Sequence, residues 1–481
     1  MPSKTMSQTN SSSQHRAPEL GLHELVFENN ISQLSKKLNV KKENENFEEV
    51  RDHHGNTPLH LAVMLGHKEC VQLLLKHGHE INVKNHYGWT PLQEAVSYGD
   101  RQTITSLYRF LRKQKKNSMK KQKPEIREAL QALGGDFYME MRWDFQSWIP
   151  FVSRILPSDT CHIYRSGHRI RMDSTLEDFS ERRWIRGDIS IIIDFAADGE
   201  PDVLLLDNKN KIYQHMKQTT VQEREASIEE EVDISMSTDI VDAAMKTKES
   251  VIESVNSGWI FTHHKAEKIG QFNADFYRIS NLMLVTRKRR EHLSEEDIKK
   301  NKMLRDAISK GEDAGKILDE CEDSSDPERR QSLPAPEPSK ITWKQYNNHR
   351  NSDPCLGRHR KEKLNTKRFE ASLGMSAEFP VRLENLLPIF AALGTKAKLF
   401  SKLKDFVTLR LPSGFPVRID IPVFPTVKAV INFPQFEFRS SIPSSMFTVP
   451  STYKEEPSWF EKSCKQRQQE SSKKRASKSA T

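Results

Sequence analysis

Gly55, Thr57, Pro58, Leu59, Ala62 and Gly66 return 33 residues later as Gly88, Thr90, Pro91, Leu92, Ala95 and Gly99. A period of this length constrains the fold more than composition does, because it marks one supersecondary unit stacked on copies of itself. In GNTPLHLAVMLGHKECVQLLLKHG a turn leads into two helices. The first carries small Ala62 on its packed side, and the second carries Val71, Leu74 and Leu75 at helical spacing. Gly66 and Gly78 fall where those helices must stop. Thr57-Pro58 and Thr90-Pro91 are expected to begin helices after tight turns.

A β-turn followed by two helices at this period is the signature of ankyrin repeats. One repeat cannot bury its apolar face alone, so neighbours are required on both sides. LHELVFENNISQLSKKL, from Leu22 to Leu38, supplies a weaker N-terminal repeat, and Thr103 to Leu111 supplies the last helices. His60 belongs to the TPLH turn, where ankyrin repeats use it for hydrogen bonds that fix the repeat. Repeat turns project side chains along the concave face, which makes His53, His54, Asn56, His86, Tyr87 and Trp89 the candidate partner-binding residues.

With 481 residues the chain has room for two or three domains. Residues 1–19 read as disordered, 20–111 as the repeats and 112–139 as a basic linker. A second domain is expected over 140–440, interrupted by insertions at about 218–250 and 288–340, and 441–481 read as a basic disordered tail. The second insertion ends in DSSDPERRQSLPAPEPS, which reads as a disordered linker. WDFQSWIPFVSRILPSD places Phe145, Trp148, Ile149, Val152, Ile155 and Leu156 at helical spacing and predicts an amphipathic helix bent or begun near Pro150. Packing of that helix on its own domain is the plain reading, and an exposed partner-binding face is the alternative.

From Cys161 the period becomes two, and CHIYR, HRIRMDSTL, WIRGDISIIIDF and PDVLLLDN follow one another with short turns. Such a run predicts an antiparallel sheet. Lys211–Met216, Gly258–His263, Tyr277–Thr286 and RFEASLGMS add candidate strands, and Leu383, Leu386, Leu387, Phe390 and Leu393 mark a helix. In LRLPSGFPVRIDIPVFPTVKAVINFPQFEFR the alternation argues strand, while Pro412, Pro416, Pro422, Pro425 and Pro434 argue for edge strands and bulges. The fold class is therefore α+β multidomain: an N-terminal ankyrin-repeat α-solenoid, then a mostly antiparallel sheet domain with helices and disordered insertions.

The chain contains no GxSxG, HExxH, phosphate loop or dinucleotide fingerprint, and its five cysteines form no CxxC pair. Asp188, Asp194, Asp198, Asp202 and Asp207 read as a solvated hairpin, and His263 and His264 point to opposite faces of a strand. No enzyme, metal or cofactor is expected. The net charge of +9 sits largely in two runs, Arg109–Lys123 and Lys462–Lys478, which carry almost no interleaved aromatics, so nucleic acid is not expected as a partner. No apolar run approaches the roughly 20 residues of a transmembrane helix, and membrane association is expected to be peripheral.

WDFQSWIPFVSRILPSDTCHIYRSGHRIRMDSTL with WIRGDISIII, then LGMSAEFPVRLENLLPIF and LKDFVTLRLPSGFPVRIDIPVF, resemble the ankyrin-repeat 13 family with its G-protein-coupled-receptor chaperone domain. Within those segments Trp143, Trp148, Arg186, Gly187, Gly414, Phe415 and Pro416 are the candidate structural residues, together with Thr57, Pro58, His60, Thr90 and Pro91 of the repeats. The resemblance implies a non-enzymatic chaperone for immature receptors at the cytosolic face of the endoplasmic reticulum. Several members carry acidic C-terminal ubiquitin-interacting motifs. SCKQRQQESSKKRASKSAT is basic and has none, so ubiquitin is not expected as a partner. The rival readings are a ubiquitin-linked endocytic receptor adaptor and a sheet domain that binds lipid or a small ligand.

Overall fold

The structure is a computed structural model in which residues 21–40, 50–147, 156, 158–180, 183–195, 201–216, 221–257, 263–310, 330–348, 354–387, 411–424, 427–456 and 459 are described. The chain divides into two compact units, one of residues 1–111 with 330–361 and one of residues 112–329 with 362–481.

In the first unit the 33-residue period becomes three helix pairs: α1 (Gly21–Phe27) with α2 (Ile31–Val40), α3 (Pro58–Met64) with α4 (Lys68–Lys76), and α5 (Pro91–Tyr98) with the start of α6 (Arg101–Ala132). Thr57 and Thr90 occupy the N-cap positions of α3 and α5 in extended backbone, each followed by proline and each completing a capping box with His60 or Gln93. Leu34, Leu38, Leu59, Leu61, Leu74 and Leu107 are wholly buried between the pairs. The unit also contains residues 330–348 and 354–361, far along the chain. Residues 330–340, expected as a disordered linker, form no helix or strand but are hydrogen-bonded to the repeats, with the Leu333 N–H donating to the Gly99 carbonyl at 2.9 Å. Their Pro and Ser content suits a peptide that lies on a surface without a strand partner, which composition alone does not separate from disorder.

In the second unit the main sheet of described strands contains β1 (Asp136–Ser147), β2 (Ser158–Ser166), β3 (Arg169–Ser180), β4 (Arg183–Asp194), β5 (Asp202–Asp207), β6 (Ile212–His215), β7 (Ile240–Lys246) and β8 (Val251–Ser254). The strands β9 (Asn256–Ser257) and β10 (His263–His264) pair separately, and β11 (Ala266–Ile269), β12 (Phe272–Arg289), β13 (Glu362–Ser376), β14 (Phe415–Phe424), β15 (Val427–Arg439) and β16 (Lys454–Glu455) complete the main sheet. Its order is β11-β12-β13-β14-β15-β1-β2-β3-β4-β5-β6-β16, with β7 and β8 also on β12. Every pair is antiparallel except β6 with β16. Alternate residues of β1 and β2, namely Phe137, Met139, Met141, Cys161 and Ile163, face a core shared with Phe272, Phe379, Phe415, Phe433 and Phe436.

Several expectations change here. Trp143 to Ser147 belong to β1 and not to a helix; all of them pair with β15, and Trp143 and Asp144 pair with β2 as well. Trp143 and Phe145 share a face and meet edge to face at 6.0 Å. Apolar residues spaced by two and three satisfy both periods over so short a run, and pairing along β15 decided for strand. Trp148 and the rest of that stretch to Ile155 lie outside the described residues. The strands β14 and β15 are interior and not edge strands, each paired on two sides. Their prolines are accommodated at register shifts: Pro416 beside the Gly374/Met375 shift, Pro422 beside the Pro422/Phe424 shift, and Pro434 opposite the Glu140/Arg142 shift. Arg186 and Gly187 lie in β4 at another irregularity, where the partner register jumps between Ser174 and Leu176. Residues 112–132, expected as linker, continue α6, and Ile126 and Leu130 are buried in the sheet core. Arg165 donates to the Leu130 carbonyl at 2.6 Å, which places a guanidinium at the negative end of that helix. Of the stretch expected as tail, Ile442 and Phe447 pack on Ile192, Leu204 and Leu206, and Trp459 packs on Ile189 and Leu205.

Candidate protein-interaction surface

The repeat turns are built by two residues one period apart. The Asp52 carboxylate accepts the N–H groups of His54 and Asn56, both at 2.8 Å, and the Asn85 side-chain oxygen accepts those of Tyr87 and Trp89 at 3.1 and 3.0 Å. These are Asx turns, in which a side chain replaces a backbone acceptor. The Asn85 amide then donates to the Asn56 side-chain oxygen at 2.9 Å, and the His86 N–H donates to the His54 carbonyl at 3.0 Å, tying one turn to the next. His60 is wholly buried; its Nδ1 accepts the Thr57 N–H at 3.1 Å, which leaves Nε2 to donate to the Trp89 carbonyl at 3.0 Å. Asp52 and Asn85 were not singled out in the sequence, although each stands three residues before the repeating glycine.

Of the six candidate partner residues, His53 and His86 are exposed and Tyr87 is half-buried, whereas His54, Asn56 and Trp89 are buried. Trp89 is enclosed by its own turn and by the neighbouring repeat. His54 and Asn56 are covered by the chain itself. Tyr346, in the short helix Trp343–Asn348, donates its hydroxyl to Asp52 at 2.6 Å, accepts from the Asn56 amide at 2.9 Å, and lies 5.0 Å from the His54 ring. Phe27 packs against both Trp343 and Tyr346. Residues 330–348 thus enter beside Gly99 and place their aromatic pair on the first turn, and residues 354–361 lie on the third repeat.

On the return, Arg358 donates to the Tyr98 carbonyl at 3.2 Å. The Arg360 guanidinium lies 3.3 Å from the buried Glu94 carboxylate and 4.6 Å over the Tyr87 ring. The Arg360 guanidinium is thus met by a buried carboxylate and by the face of an aromatic ring, both of which favour a cation. Asp100 stands at the entry point. Burial opposes its ionisation, but hydrogen bonds from Lys68 and from the Thr103 side chain and backbone outweigh that and hold its carboxyl below the usual range.

In the second unit Gly414 has φ of +111°, and a Cβ there would stand 2.6 Å from the Ser376 carbonyl oxygen. Phe415 follows it, stacked on Phe379 with ring centroids 3.8 Å apart, and Pro416 is buried beside Val417. Burial pushes the Cys161 thiol up to about 12 and the Cys70 thiol up to about 11, so both remain protonated at neutral pH. Among the described residues no group of three or more His, Cys, Asp or Glu side chains is placed to hold a metal ion, and no helix is long and apolar enough to cross a membrane.

The family described as Ankyrin repeats (3 copies) matches residues 22–119, and that described as ANKRD13 C-terminal matches residues 171–480. The chain is 46% identical over 440 residues to Ankyrin repeat domain-containing protein 13C of Homo sapiens, covering 91% of this chain and 78% of that protein. It is 45% identical over 442 residues to the 13C protein of Danio rerio, covering 91% and 87%. Ankyrin repeat domain-containing protein 13B of Homo sapiens is more distant, 34% identical over 429 residues, covering 86% and 66%. Three helix pairs, two of them begun by a capping box, a large antiparallel sheet and likeness along nearly the whole length lead to one conclusion: the chain belongs to the ankyrin repeat domain-containing protein 13 family, whose members are protein-interaction adaptors.

Proposed function

We propose that this protein is a non-enzymatic chaperone and adaptor for G-protein-coupled receptors, acting on immature forms at the cytosolic face of the endoplasmic reticulum and controlling their exit. The observation that carries the reading is the 46% identity over 91% of the chain to 13C proteins, together with a repeat face that holds a basic, aromatic peptide. Cytosolic segments of such receptors are commonly basic where they leave the membrane, which suits the buried Glu94 and the Tyr87 ring. His53 and His86 add exposed contacts at the turn tips. Attachment to the membrane would be peripheral, through the receptor and through basic segments that attract anionic lipid at about 1 kcal/mol per nearby Lys or Arg.

The test is affinity purification of the full chain from detergent-solubilised membranes, with identification of co-purifying receptors. Immature, core-glycosylated receptors in the bound fraction would support the reading, and their absence would sink it. Moderate salt should release part of the membrane-bound pool and alkaline carbonate nearly all of it. Measurable binding to ubiquitin chains would revive the endocytic-adaptor reading.

A further inference from the structure

Ser332 stands where residues 330–361 first touch the repeats. It is exposed and outside any helix or strand, and its Oγ accepts the Arg101 N–H at 3.0 Å and lies 3.4 Å from Asp100 Oδ1. Around it the sequence reads Arg329-Arg330-Gln331-Ser332-Leu333-Pro334. Arginines three and two positions before a serine, with an apolar residue after it, are the features that arginine-directed protein kinases read: guanidinium groups pair with carboxylates of the kinase cleft, and the apolar side chain fills a small pocket. Neighbouring residues meet the surface with that same backbone, since the Arg330 carbonyl accepts from Arg101 at 2.7 Å and the Leu333 N–H donates to Gly99.

We propose that Ser332 is a phosphorylation site for an arginine-directed serine kinase, and that its modification releases residues 330–348 and 354–361 from the ankyrin face. In the reaction the Ser332 hydroxyl oxygen attacks the γ-phosphorus of ATP. The new O–P bond forms as the bond to the β–γ bridging oxygen breaks, ADP leaves, and the hydroxyl proton passes to the kinase's base. The kinase takes the segment in its undocked state, and the phosphate then opposes redocking.

Two effects compete at the docked position. A helix N-terminus attracts phosphate, and Ser332 lies at the start of α6. That end is already occupied by the Asp100 carboxylate, whose Oδ2 accepts from Thr103 and whose Oδ1 accepts from Lys68. A dianion placed beside an ionised carboxylate is repelled, and Leu333 lies against Gly99, where a Cβ would already be only 2.5 Å from its side chain, so there is little room to retreat. Repulsion prevails, and the release uncovers Asp52, His54, Asn56, Tyr87 and Glu94 together. That the uncovered face then takes a receptor segment rests on the function proposed above; the switch itself does not.

The full-length protein is incubated with ATP, magnesium and an arginine-directed serine kinase. Phosphate is located by mass spectrometry, and amide hydrogen exchange is measured before and after. Phosphate at Ser332 is expected, with residues 333–348 exchanging roughly tenfold faster, an ordinary size for coupling between two sites. Ser332→Ala should lose the phosphate and keep the protection. Asp100→Asn, which retains the helix cap, should blunt the release. Absence of phosphate at Ser332, unchanged or slower exchange after its addition, or equal release in Asp100→Asn would overturn the proposal. None of these readouts involves a receptor, so a failed client purification leaves the switch standing and a failed switch leaves the client reading standing.

Discussion

The Tyr346 hydroxyl donates to the Asp52 carboxylate at 2.6 Å, although 294 positions separate them in the chain. The same carboxylate organises the first repeat turn through the His54 and Asn56 N–H groups. One side chain therefore builds the turn and receives the segment that covers it.

Tyr346→Phe would keep the ring against Phe27 and His54 while leaving Asp52 Oδ2 and the Asn56 amide without their partner. A cost of about 1–3 kcal/mol to docking of residues 330–361 is expected, as for a buried group deprived of its hydrogen bond. Hydrogen exchange across 340–348 measures it, and wild-type protection would show that the aromatic contacts alone hold the segment.

Gly414→Ala should destabilise the sheet unit. The +111° φ disfavours any L side chain, and the added methyl would meet backbone at Ser376, which cannot swing aside as a side-chain end can. A loss of about 1–3 kcal/mol is expected from strain of this kind, read as a lowered midpoint in urea. An unchanged midpoint would mean that the β13–β14 connection relaxes freely.

Phe415 is 1% exposed and stacked on Phe379, which in turn contacts Phe272 and Phe436. Phe415→Ala should cost roughly 3–5 kcal/mol. In a double-mutant cycle with Phe379→Ala, a coupling of about 0.5–1.5 kcal/mol is expected for the stacked pair. Simple additivity would show that the rings act only through the area they bury.

His292 is buried, and burial holds its imidazole below the usual 6.5, although the Thr238 carbonyl and Glu291 pull the other way. A folded-state value below the unfolded one means that the unfolded chain binds the proton first. Stability is then fully present above pH 6.5 and declines as pH falls from there through the lowered folded value. The loss between about pH 7.5 and about pH 5.5 should shrink in His292→Gln, measured by denaturant midpoints, because the titrating ring is gone. An equal loss in the variant would assign the acid sensitivity elsewhere, with His67 the next candidate.

The strands β2 to β5 were legible because alternation and short turns are local, and each lies close to its expected run. The reading failed where a partner distant in sequence decided. Trp143 to Phe145 satisfy a helix period as well as a strand period until pairing with β15, far along the chain, decides for strand. The prolines of β14 and β15 argued for an edge until bulges gave each a place inside the ladder. Arg360 and Tyr346 fall in the run expected as sheet domain, and nothing near them in the chain identifies Glu94 or Asp52 of the repeats as their partners.

Thr57-Pro58 and Thr90-Pro91, one period apart, determine by themselves that helices begin there, because a cap and a fixed proline φ act within four residues. The family is likewise written in local motifs. Which surface of the repeats is open, which strands are interior and what covers His54 and Asn56 were decided by the tertiary structure alone. These depend on burial and on hydrogen bonds between residues hundreds of positions apart, and an apolar or charged side chain carries no mark of which distant group will satisfy it.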